Sequence, residues 1–349
     1  MIQDATLRPE DTLMFAEAGS ASKVVEKQLK ENAPIAKALG QKLRHLKPTA
    51  VVTCARGSSD HAATYAKYVV ETKAGLLVSS AAPSVSSVYA AKQMLEGALF
   101  IAISQSGASP DLVRTADAAK RAGAFVVAIV NVTASPLAAI ADVVLPLHAG
   151  PEKSVAATKT YIASLTAILQ LVAYWTEDAE LLTALETLPL NLSAAWACDW
   201  TPAATALLDA RNFFVVGRGV GFGVAQEAAL KFKETSGLHA EAYSAAEVKH
   251  GPMAIVNAGF PVLVMSQRDE TRDGIQELVK DFASRDAVVL TAGAGLEGGV
   301  SLPVVADAHP FIEPILMIQS FYRMANGLSV ARGYHPDDPP HLNKVTETV

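Results

Sequence analysis

Hydrophobic and polar positions follow two alternating patterns along most of the chain. Short runs that are apolar at nearly every position, such as LFIAIS (99–104) and FVVAIV (125–130), predict strands buried on both faces of a sheet. Between such runs lie longer stretches with apolar residues three or four positions apart, such as LVRTADAAKRAG (112–123), which predict amphipathic helices. Strands that alternate with helices of this length are typical of βαβ units. The pattern therefore predicts an α/β fold with doubly wound parallel sheets.

The same series of elements occurs twice. A β-rich run leads into the turn Arg56-Gly57, and a second such run, NFFVV (212–216), leads into Arg218-Gly219. The spacing between the two arginines is 162 positions, and it is also 162 positions between the Ser-Gln turns that begin at Ser104 and Ser266. Each copy closes with a short strand and a long apolar helix. We interpret the chain as two α/β domains related by internal duplication.

The domain boundaries follow from this repeat. We expect one domain at residues 36–175 and the other at 190–332, with a linker at LETLPLNL (185–192). Residues 1–35 predict an amphipathic helical extension that ends near Pro34 and packs either on its own domain or on a partner. The tail at 333–349 contains three prolines, and we expect it to be irregular.

The composition excludes several classes of protein. The 349 residues are 50% hydrophobic and 18% charged, which is typical of a globular chain, and the net charge of −6 argues against a nucleic-acid partner. Cys54 and Cys198 do not form a CxxC motif, so we expect neither a disulfide framework nor a structural zinc. The longest apolar helix candidate, SLTAILQLVAYW (164–175), is too short to span a bilayer. We expect a cytoplasmic protein without a membrane partner.

Two loops of the first domain have the composition of an anion site. They are RGSS (56–59) and SQSGASPD (104–111), and each follows a predicted strand, at the edge where doubly wound sheets bind ligands. Hydroxyl groups, an amide and backbone N–H groups at a helix N-terminus suit a phosphate without a metal ion. The alternative is that Ser109 or Asp111 is only a helix cap. The predicted substrate-binding residues are Arg56, Ser58, Ser59, Ser104, Gln105, Ser106 and Ser109.

The second copy lacks this composition. Its corresponding loop contains Asp269 and Glu270, whose carboxylates repel a phosphate, so we expect the second domain to have lost the anion site.

The second domain instead contains a dense cluster of ionisable residues. Within the stretch 225–253, Glu227, Lys231 and Glu234 have the spacing of one helix face, and a His250-Gly251-Pro252 turn follows. A histidine and a carboxylate form a natural acid/base pair near neutral pH. The alternative is a solvated Glu–Lys ladder on a helix surface. We interpret the cluster as a proton-transfer centre.

Other candidate chemistry is weaker. His239, Glu241 and His250 lack the spacing of a metal site, and we expect no metal; an isolated His239 is better explained as a core residue. The run GRGVGFG (217–223) misses the GxGxxG register, so we expect no nicotinamide cofactor. The serines lack the GxSxG context of an acyl-transfer nucleophile. On spacing alone, Lys344 is a solvated tail lysine.

Together these motifs resemble the tandem sugar isomerase (SIS) domains of the glucosamine-6-phosphate synthase family, over nearly the whole chain. The motifs are RGSS (56–59), SQSGxSxD (104–111), KxKE (231–234), HAEAY (239–243) and EVKHGP (247–252). One departure is that we expect no glutaminase domain before the first repeat. The resemblance therefore points to stand-alone relatives, among them SIS-type glucosamine-6-phosphate deaminases and fructosamine-phosphate deglycases.

The resemblance also implies roles for individual residues. The serines and Gln105 match the sugar-phosphate loops, Glu234 matches the base that moves a proton between C1 and C2, and Lys231 matches a lysine beside that base. His250 matches a ring-opening group that reaches the site from a neighbouring subunit. Lys344 matches a tail lysine that contacts the open sugar or forms an imine with it, so the resemblance reverses its interpretation from spacing. Arg56 departs from the family, which tends to have a smaller residue there.

The expected function is deamination and isomerisation of an amino-sugar phosphate, with glucosamine 6-phosphate as substrate and fructose 6-phosphate and ammonia as products. The resemblance implies no cofactor, and it implies a homodimer with a shared active site. The alternatives are an aldose/ketose phosphate isomerase, an ammonia-dependent synthase, a deglycase and a non-catalytic sugar-phosphate sensor. A complete set of acid/base residues argues against the sensor.

Overall fold

The computed structural model describes residues 7–344, which form two compact units. The amino-terminal unit consists of Lys23–Pro151 and Thr160–Glu186. The carboxy-terminal unit consists of the described residues up to Ser22, the segment Glu152–Lys159, and Thr187–Lys344. This division differs from the boundaries expected from the sequence, because the first helix and the segment Glu152–Lys159 belong with the second repeat.

Helices and strands alternate through both units as the sequence pattern predicts. The α-helices are α1 (Leu13–Gly19), α2 (Ala21–Leu46), α3 (Ser58–Lys73), α4 (Pro83–Ser87), α5 (Pro110–Arg121), α6 (Pro136–Ile140), α7 (Lys159–Thr176), α8 (Ala179–Ala197), α9 (Thr201–Leu207), α10 (Phe222–Ser236), α11 (Arg272–Ala283) and α12 (Glu313–Ala331). Short 3-10 helices lie at Pro9–Asp11, Gly219–Gly221, Glu247–His250 and Pro252–Ile255.

The amino-terminal unit is built on a five-stranded parallel sheet. Its strands are β1 (Val51–Cys54), β2 (Val78–Ser80), β3 (Leu99–Ser104), β4 (Phe125–Val130) and β5 (Val143–Pro146), in the order β2-β1-β3-β4-β5. All six residues of β3 are buried, which explains its uninterrupted apolar sequence. The direction of the strand order reverses between β1 and β3, so the loops after these two strands flank the switch point at which such sheets bind ligands.

The carboxy-terminal unit has a second sheet of the same design. Its strands are β6 (Asn212–Gly217), β7 (His239–Ser244), β8 (Pro261–Met265), β9 (Val288–Ala292) and β10 (Val300–Leu302), in the order β10-β9-β8-β6-β7. All neighbouring strands are parallel. Counted from the first strand of each copy, the two orders are the same. The prediction of a duplicated, doubly wound α/β fold is therefore confirmed.

The sequence pattern did not predict the edge strands β2 and β7. Both contain more polar residues than the central strands, and β7 alternates exposed His239 and Glu241 with the buried Ala240. An edge strand has a neighbour on one side only, so it lacks the continuous apolar run that identifies a central strand.

The helix end expected near Pro34 and the linker expected at residues 185–192 are both wrong. Helix α2 continues through Pro34 to Leu46, and α8 includes Pro189 in the segment expected to be a linker. Beyond Pro34, α2 buries Ala36, Leu39 and Leu43 along one face. This burial outweighs the single hydrogen bond that a proline removes from a helix.

Three further features concern the tail, membrane-spanning helices and metal-binding groups. The tail residues from Gly333 to Lys344 contain no helix or strand, and the predicted tail beyond them lies outside the described residues. No helix between residues 7 and 344 combines the length and the apolar character needed to cross a bilayer. The same part of the chain has no group of three His, Cys, Asp or Glu side chains arranged to hold a metal ion.

Candidate active site

The predicted phosphate loops occupy the switch point of the amino-terminal sheet. Helix α3 begins at Ser58 directly after β1, with Gly57 at its N-cap and Ser59 in its first turn. Helix α5 begins at Pro110 after β3, with Ser109 at its N-cap. The hydroxyl of Ser109 makes no capping bond, so its side chain is not used as a helix cap. Two helix N-termini and their serines thus lie after adjacent strands, an arrangement suited to an anion.

The loop after β3 is shaped by a tight turn at Gly107. The backbone N–H of Gly107 donates to Ser104 Oγ at 3.0 Å, and that of Ala108 donates to Ser106 Oγ at 3.3 Å. Gly107 has φ +64°, and a Cβ added there would lie 2.2 Å from Ser135 Oγ. Only glycine fits this position, because it needs both a left-handed conformation and room for the neighbouring chain.

Arg56 spans the two loops through an ion pair with Asp111. Its Nε donates to Asp111 Oδ2 at 3.0 Å, and its Nη2 lies 2.9 Å from the same oxygen. The Asp111 carboxylate is buried and also accepts from the backbone N–H of Leu112 at 2.8 Å. The Arg56 side chain is 50% exposed. Arg56 therefore neutralises a buried carboxylate beside the predicted phosphate loop while part of its guanidinium faces solvent.

The corresponding loop of the carboxy-terminal unit is filled by its own side chains. The carboxylate of Glu313 accepts from the backbone N–H and from Nε of Arg268, both at 2.7 Å. The amide of Gln267 donates to the carbonyl of Arg218 at 2.9 Å and to Asp269 Oδ2 at 2.7 Å. A cavity of about 10 Å³ lined by Ser266 and Glu313 remains, enough for about one water molecule. Internal carboxylates thus occupy the donors that could receive an anion.

Helix α10 carries the central part of the ionisable cluster. The Lys231 ammonium lies 3.5 Å from Glu227 Oε1 and donates a short hydrogen bond to Glu234 Oε2. The side chains of Lys231 and Glu227 are 1% and 0% exposed, whereas that of Glu234 is 21% exposed. Tyr322 donates to Glu227 Oε1 at 3.2 Å. Glu227 and Lys231 lie in the interior and Glu234 is only partly exposed, so the alternative of a solvated Glu–Lys ladder is wrong.

Glu227, Lys231 and Glu234 form a triad, in which the two carboxylates determine the charge state of the lysine. Burial by itself lowers the pKa of the Lys231 amine, but the two neighbouring carboxylates outweigh burial and leave the pKa raised above its usual value. Lys231 therefore remains an ammonium group between the side chains of Glu227 and Glu234. One carboxylate, on Glu234, keeps access to solvent, and an accessible carboxylate with a fixed cationic partner is suited to accept and return a proton.

The C-terminal end of α10 is held firmly. The hydroxyl of Thr235 donates to the carbonyl of Lys231 at 2.8 Å, and Arg332 Nε donates to the carbonyl of Ser236 at 3.0 Å. Gly237 then ends the helix in the left-handed conformation. This anchoring fixes the last turn, on which Glu234 lies.

Neither histidine of the ionisable stretch forms a hydrogen bond or ion pair with Glu227, Lys231 or Glu234 among residues 7–344. His250 is exposed at the end of the 3-10 helix Glu247–His250 and forms no hydrogen bond or ion pair with Lys231 or Glu234 in the part of the chain that the structure describes. His239 is exposed on β7, so the expectation that it is a core residue is wrong. Alternation along an edge strand turns its side chain away from the core.

Lys344 has defined partners rather than a solvated side chain. Its ammonium group donates to Glu152 Oε2 at 3.1 Å and to the carbonyl of Ser154 at 2.7 Å. Glu152 is fully buried, and its Oε1 accepts from the backbone N–H of Thr158 at 3.1 Å. The interpretation of Lys344 from spacing alone is therefore wrong.

The sequence did not show that two carboxylates of these clusters are buried. Glu227 was predicted as part of the ionisable cluster but not as a buried residue, and Glu152 was not among the predicted site residues, although each is the partner of a predicted site lysine. The i, i+4 spacing of Glu227 and Lys231 was a usable signal for the first pair. No signal existed for the second pair, because Glu152 and Lys344 lie 192 positions apart.

The chain is similar to a known domain family and to curated proteins. Residues 42–174 and 206–291 match the SIS domain family. A glutamine–fructose-6-phosphate aminotransferase (isomerizing) from Thermotoga maritima is 36% identical over 315 residues, which cover 84% of this chain and 50% of that protein. The chain thus spans about half the length of the curated relatives it matches.

Solved structures with a similar fold are also known. A structure named as a phosphosugar isomerase from Silicibacter pomeroyi has 43% identity and a TM-score of 0.90, and the match covers 93% of this chain and 100% of that one. The C-terminal domain of a glucosamine-fructose-6-phosphate aminotransferase from Francisella tularensis has 24% identity and a TM-score of 0.85, with coverage of 94% and 98%. The second structure shares the fold.

Proposed function

Because the chain belongs to the SIS domain family, we propose that it is an enzyme that converts an amino-sugar 6-phosphate into the ketose 6-phosphate and ammonia. The preferred substrate is glucosamine 6-phosphate, and the ketose is fructose 6-phosphate. Support for sugar-phosphate chemistry comes from the matched relatives, which are named as isomerizing aminotransferases or phosphosugar isomerases. The observation that carries the proposal is the buried Lys231, held between Glu227 and a partly exposed Glu234.

The proposed reaction begins at the phosphate and the ring. The serines of the loops 56–59 and 104–109 bind the phosphate through hydroxyl and backbone N–H groups. His250 moves the proton that opens the ring, and it is supplied by the second subunit of a homodimer. The exposure of His250 supports this assignment, as does the lack of a hydrogen bond or ion pair between His250 and Lys231 or Glu234 among the described residues of one chain.

The proton transfer then follows at C1 and C2. Glu234 removes the C2 proton of the open amino aldehyde and returns it to C1 through an enolamine, which leaves an imine at C2. Water adds to this imine, the C–N bond breaks, and ammonia leaves as the C2 ketone forms. The ammonium group of Lys231 stabilises negative charge near the base. The proposed role of Lys344 is to contact the open sugar.

Ammonia release tests the proposal directly. The purified chain is incubated with glucosamine 6-phosphate, galactosamine 6-phosphate and fructosamine 6-phosphate, and ammonia and ketose 6-phosphate are both measured. We expect equal amounts of the two products from glucosamine 6-phosphate. The variant Glu234→Gln should lower kcat by about 10²–10⁴-fold, since it removes the base.

Glu277→Gln is the matched control, because Glu277 is an exposed glutamate on α11. This variant should retain the wild-type rate. If the chain interconverts glucose 6-phosphate and fructose 6-phosphate but releases no ammonia from any amino sugar, its function is simple isomerisation and not deamination. A lack of turnover with every sugar phosphate would overturn the enzyme assignment.

A further inference from the structure

The described part of the tail is attached to the carboxy-terminal unit at two points. At the first, the carboxylate of Asp337 accepts from the backbone N–H groups of Leu13 and Met14, both at 2.7 Å, and so caps the start of α1. The carbonyl of Asp337 also accepts from the backbone N–H of Val155 at 3.3 Å. At the second, Lys344 binds Glu152 and the carbonyl of Ser154.

The first attachment point uses α1 and the segment Glu152–Lys159, and the second uses that segment alone. These two pieces are also bound to each other, because Glu17 of α1 accepts from the backbone N–H of Lys153 at 2.6 Å and from that of Ser154 at 3.2 Å. Helix α1 is in turn fixed on α12, where Thr12 Oγ1 donates to Asn326 Oδ1 at 2.7 Å. We call α1 and the segment Glu152–Lys159 the tail dock.

Glu152 is the member of the tail dock that determines where the Lys344 amine lies. One of its oxygens is held by the Thr158 N–H, which fixes the plane of the carboxylate, and the other faces Lys344. A fully buried carboxylate is costly without a cation, whereas Lys344 is 24% exposed and would lose little in water. The buried carboxylate of Glu152 therefore gains more free energy from the ion pair than Lys344 does.

We propose that Glu152 is a positioning residue, which, together with α1 and the rest of the tail dock, holds the amine of Lys344 in place for the reaction. This inference rests on the proposed function for the role of Lys344, and it adds the residue that places the lysine. A long, unbranched lysine on a segment without helix or strand has many rotamers and backbone states. If Lys344 is already held before the substrate reacts, the catalytic step does not include the entropic cost of ordering its side chain.

The first arm of the test measures the position of Lys344 without any substrate. The protein is treated with an amine-acylating reagent, and modification of Lys344 is followed by peptide mass spectrometry, with the exposed Lys280 as internal reference. Glu152→Gln should raise the acylation rate of Lys344 by about tenfold, because a charge-assisted hydrogen bond is lost.

A second variant tests the same point if Glu152→Gln unfolds the protein. Asp337→Asn weakens the first attachment point from a partly exposed position and should also raise acylation of Lys344. Its matched control is Asp338→Asn, which makes the same charge change at an exposed neighbour and should leave acylation unchanged. Unchanged acylation in both Glu152→Gln and Asp337→Asn would overturn the tail dock.

The second arm measures steady-state ammonia release by the same variants. Glu152→Gln should lower kcat by at least tenfold with KM changed less than threefold, because the phosphate contacts are intact. Increased acylation with wild-type kcat would overturn the positioning role. If the wild type turns over no substrate, the proposed function fails, and the acylation arm still decides whether Glu152 holds Lys344.

Discussion

The ammonium group of Lys231 lies 3.5 Å from the carboxylate of Glu227, one turn earlier in α10, and both side chains are buried. The pair is not an exposed helical ion pair, although its spacing is that of one. Burial makes each charge depend on the other, since an isolated charge in the interior is strongly unfavourable. The stability of α10 and the charge beside Glu234 are therefore linked.

We expect Lys231→Met to lower the free energy of unfolding by about 3–5 kcal/mol, because it leaves the carboxylate of Glu227 buried without a cation. Chemical denaturation measured at one pH provides the value. The double variant Lys231→Met/Glu227→Gln should recover a large part of the loss, since the uncompensated charge is gone.

The matched control for this experiment is Lys233→Met, which changes an exposed lysine two positions further along the same helix. Its effect should be within about 0.5 kcal/mol. Equal effects of Lys231→Met and Lys233→Met would contradict the buried pair.

Gly107 should tolerate no side chain. Gly107→Ala is expected to cost about 2–5 kcal/mol, because alanine adds left-handed strain and a clash with Ser135 Oγ, 2.2 Å from the new Cβ. Gly150 has the same φ of +64° with nothing within 4 Å, so Gly150→Ala isolates the strain, at about 1–2 kcal/mol. Thermal unfolding of both variants measures the difference, and equal losses would show that the turn has room for a methyl group.

Arg56 should contribute to stability through Asp111. Arg56→Ala leaves a buried carboxylate with one backbone donor, and we expect a loss of about 1.5–3 kcal/mol in the free energy of unfolding. Arg121→Ala is the control, since Arg121 forms an exposed i,i+4 pair with Asp117, and its cost should be below about 0.5 kcal/mol. Equal losses in the free energy of unfolding would show that the Arg56–Asp111 pair stabilises the protein no more than a surface ion pair does.

The proposed supply of His250 by a second subunit predicts complementation. Glu234→Gln and His250→Ala should each be nearly inactive in ammonia release. After the two are mixed and allowed to exchange subunits, half of the dimers combine both variants, and each of these has one intact site. The mixture should then reach about a quarter of the wild-type activity. Activity equal to the average of the separate variants would place His250 and Glu234 in the same chain.

The repeated fold was predictable because its signals are local. LFIAIS becomes the buried strand β3, and residues 162 positions apart lie at the carboxyl end of the third strand of each copy, since Ser104 is the last residue of β3 and Ser266 follows β8. Burial on two faces requires an apolar residue at nearly every position, so a central parallel strand is visible in the sequence itself. The polar edge strand β7 has no such requirement and was overlooked.

The candidate site was predictable only in part. The motifs identified Glu234, Lys231 and the serine loops, because residue type and spacing along one helix or loop carry that information. They did not show that Glu227 is buried against Tyr322, nor that Arg56 is paired with Asp111. Each of these contacts joins residues from different elements, and burial decides its energy.

The alternation of helices and strands and the residue types at each loop follow from the sequence, since they depend on neighbours a few positions away, and the duplication follows from motifs that recur 162 positions apart. The contacts of Lys344 with Glu152 and of α1 with the segment beside it are visible only in the folded chain. A charged tail residue has the same sequence signature whether it is solvated or paired. The choice depends on a buried carboxylate 192 positions away, which has lost its hydration and gains from a cationic partner.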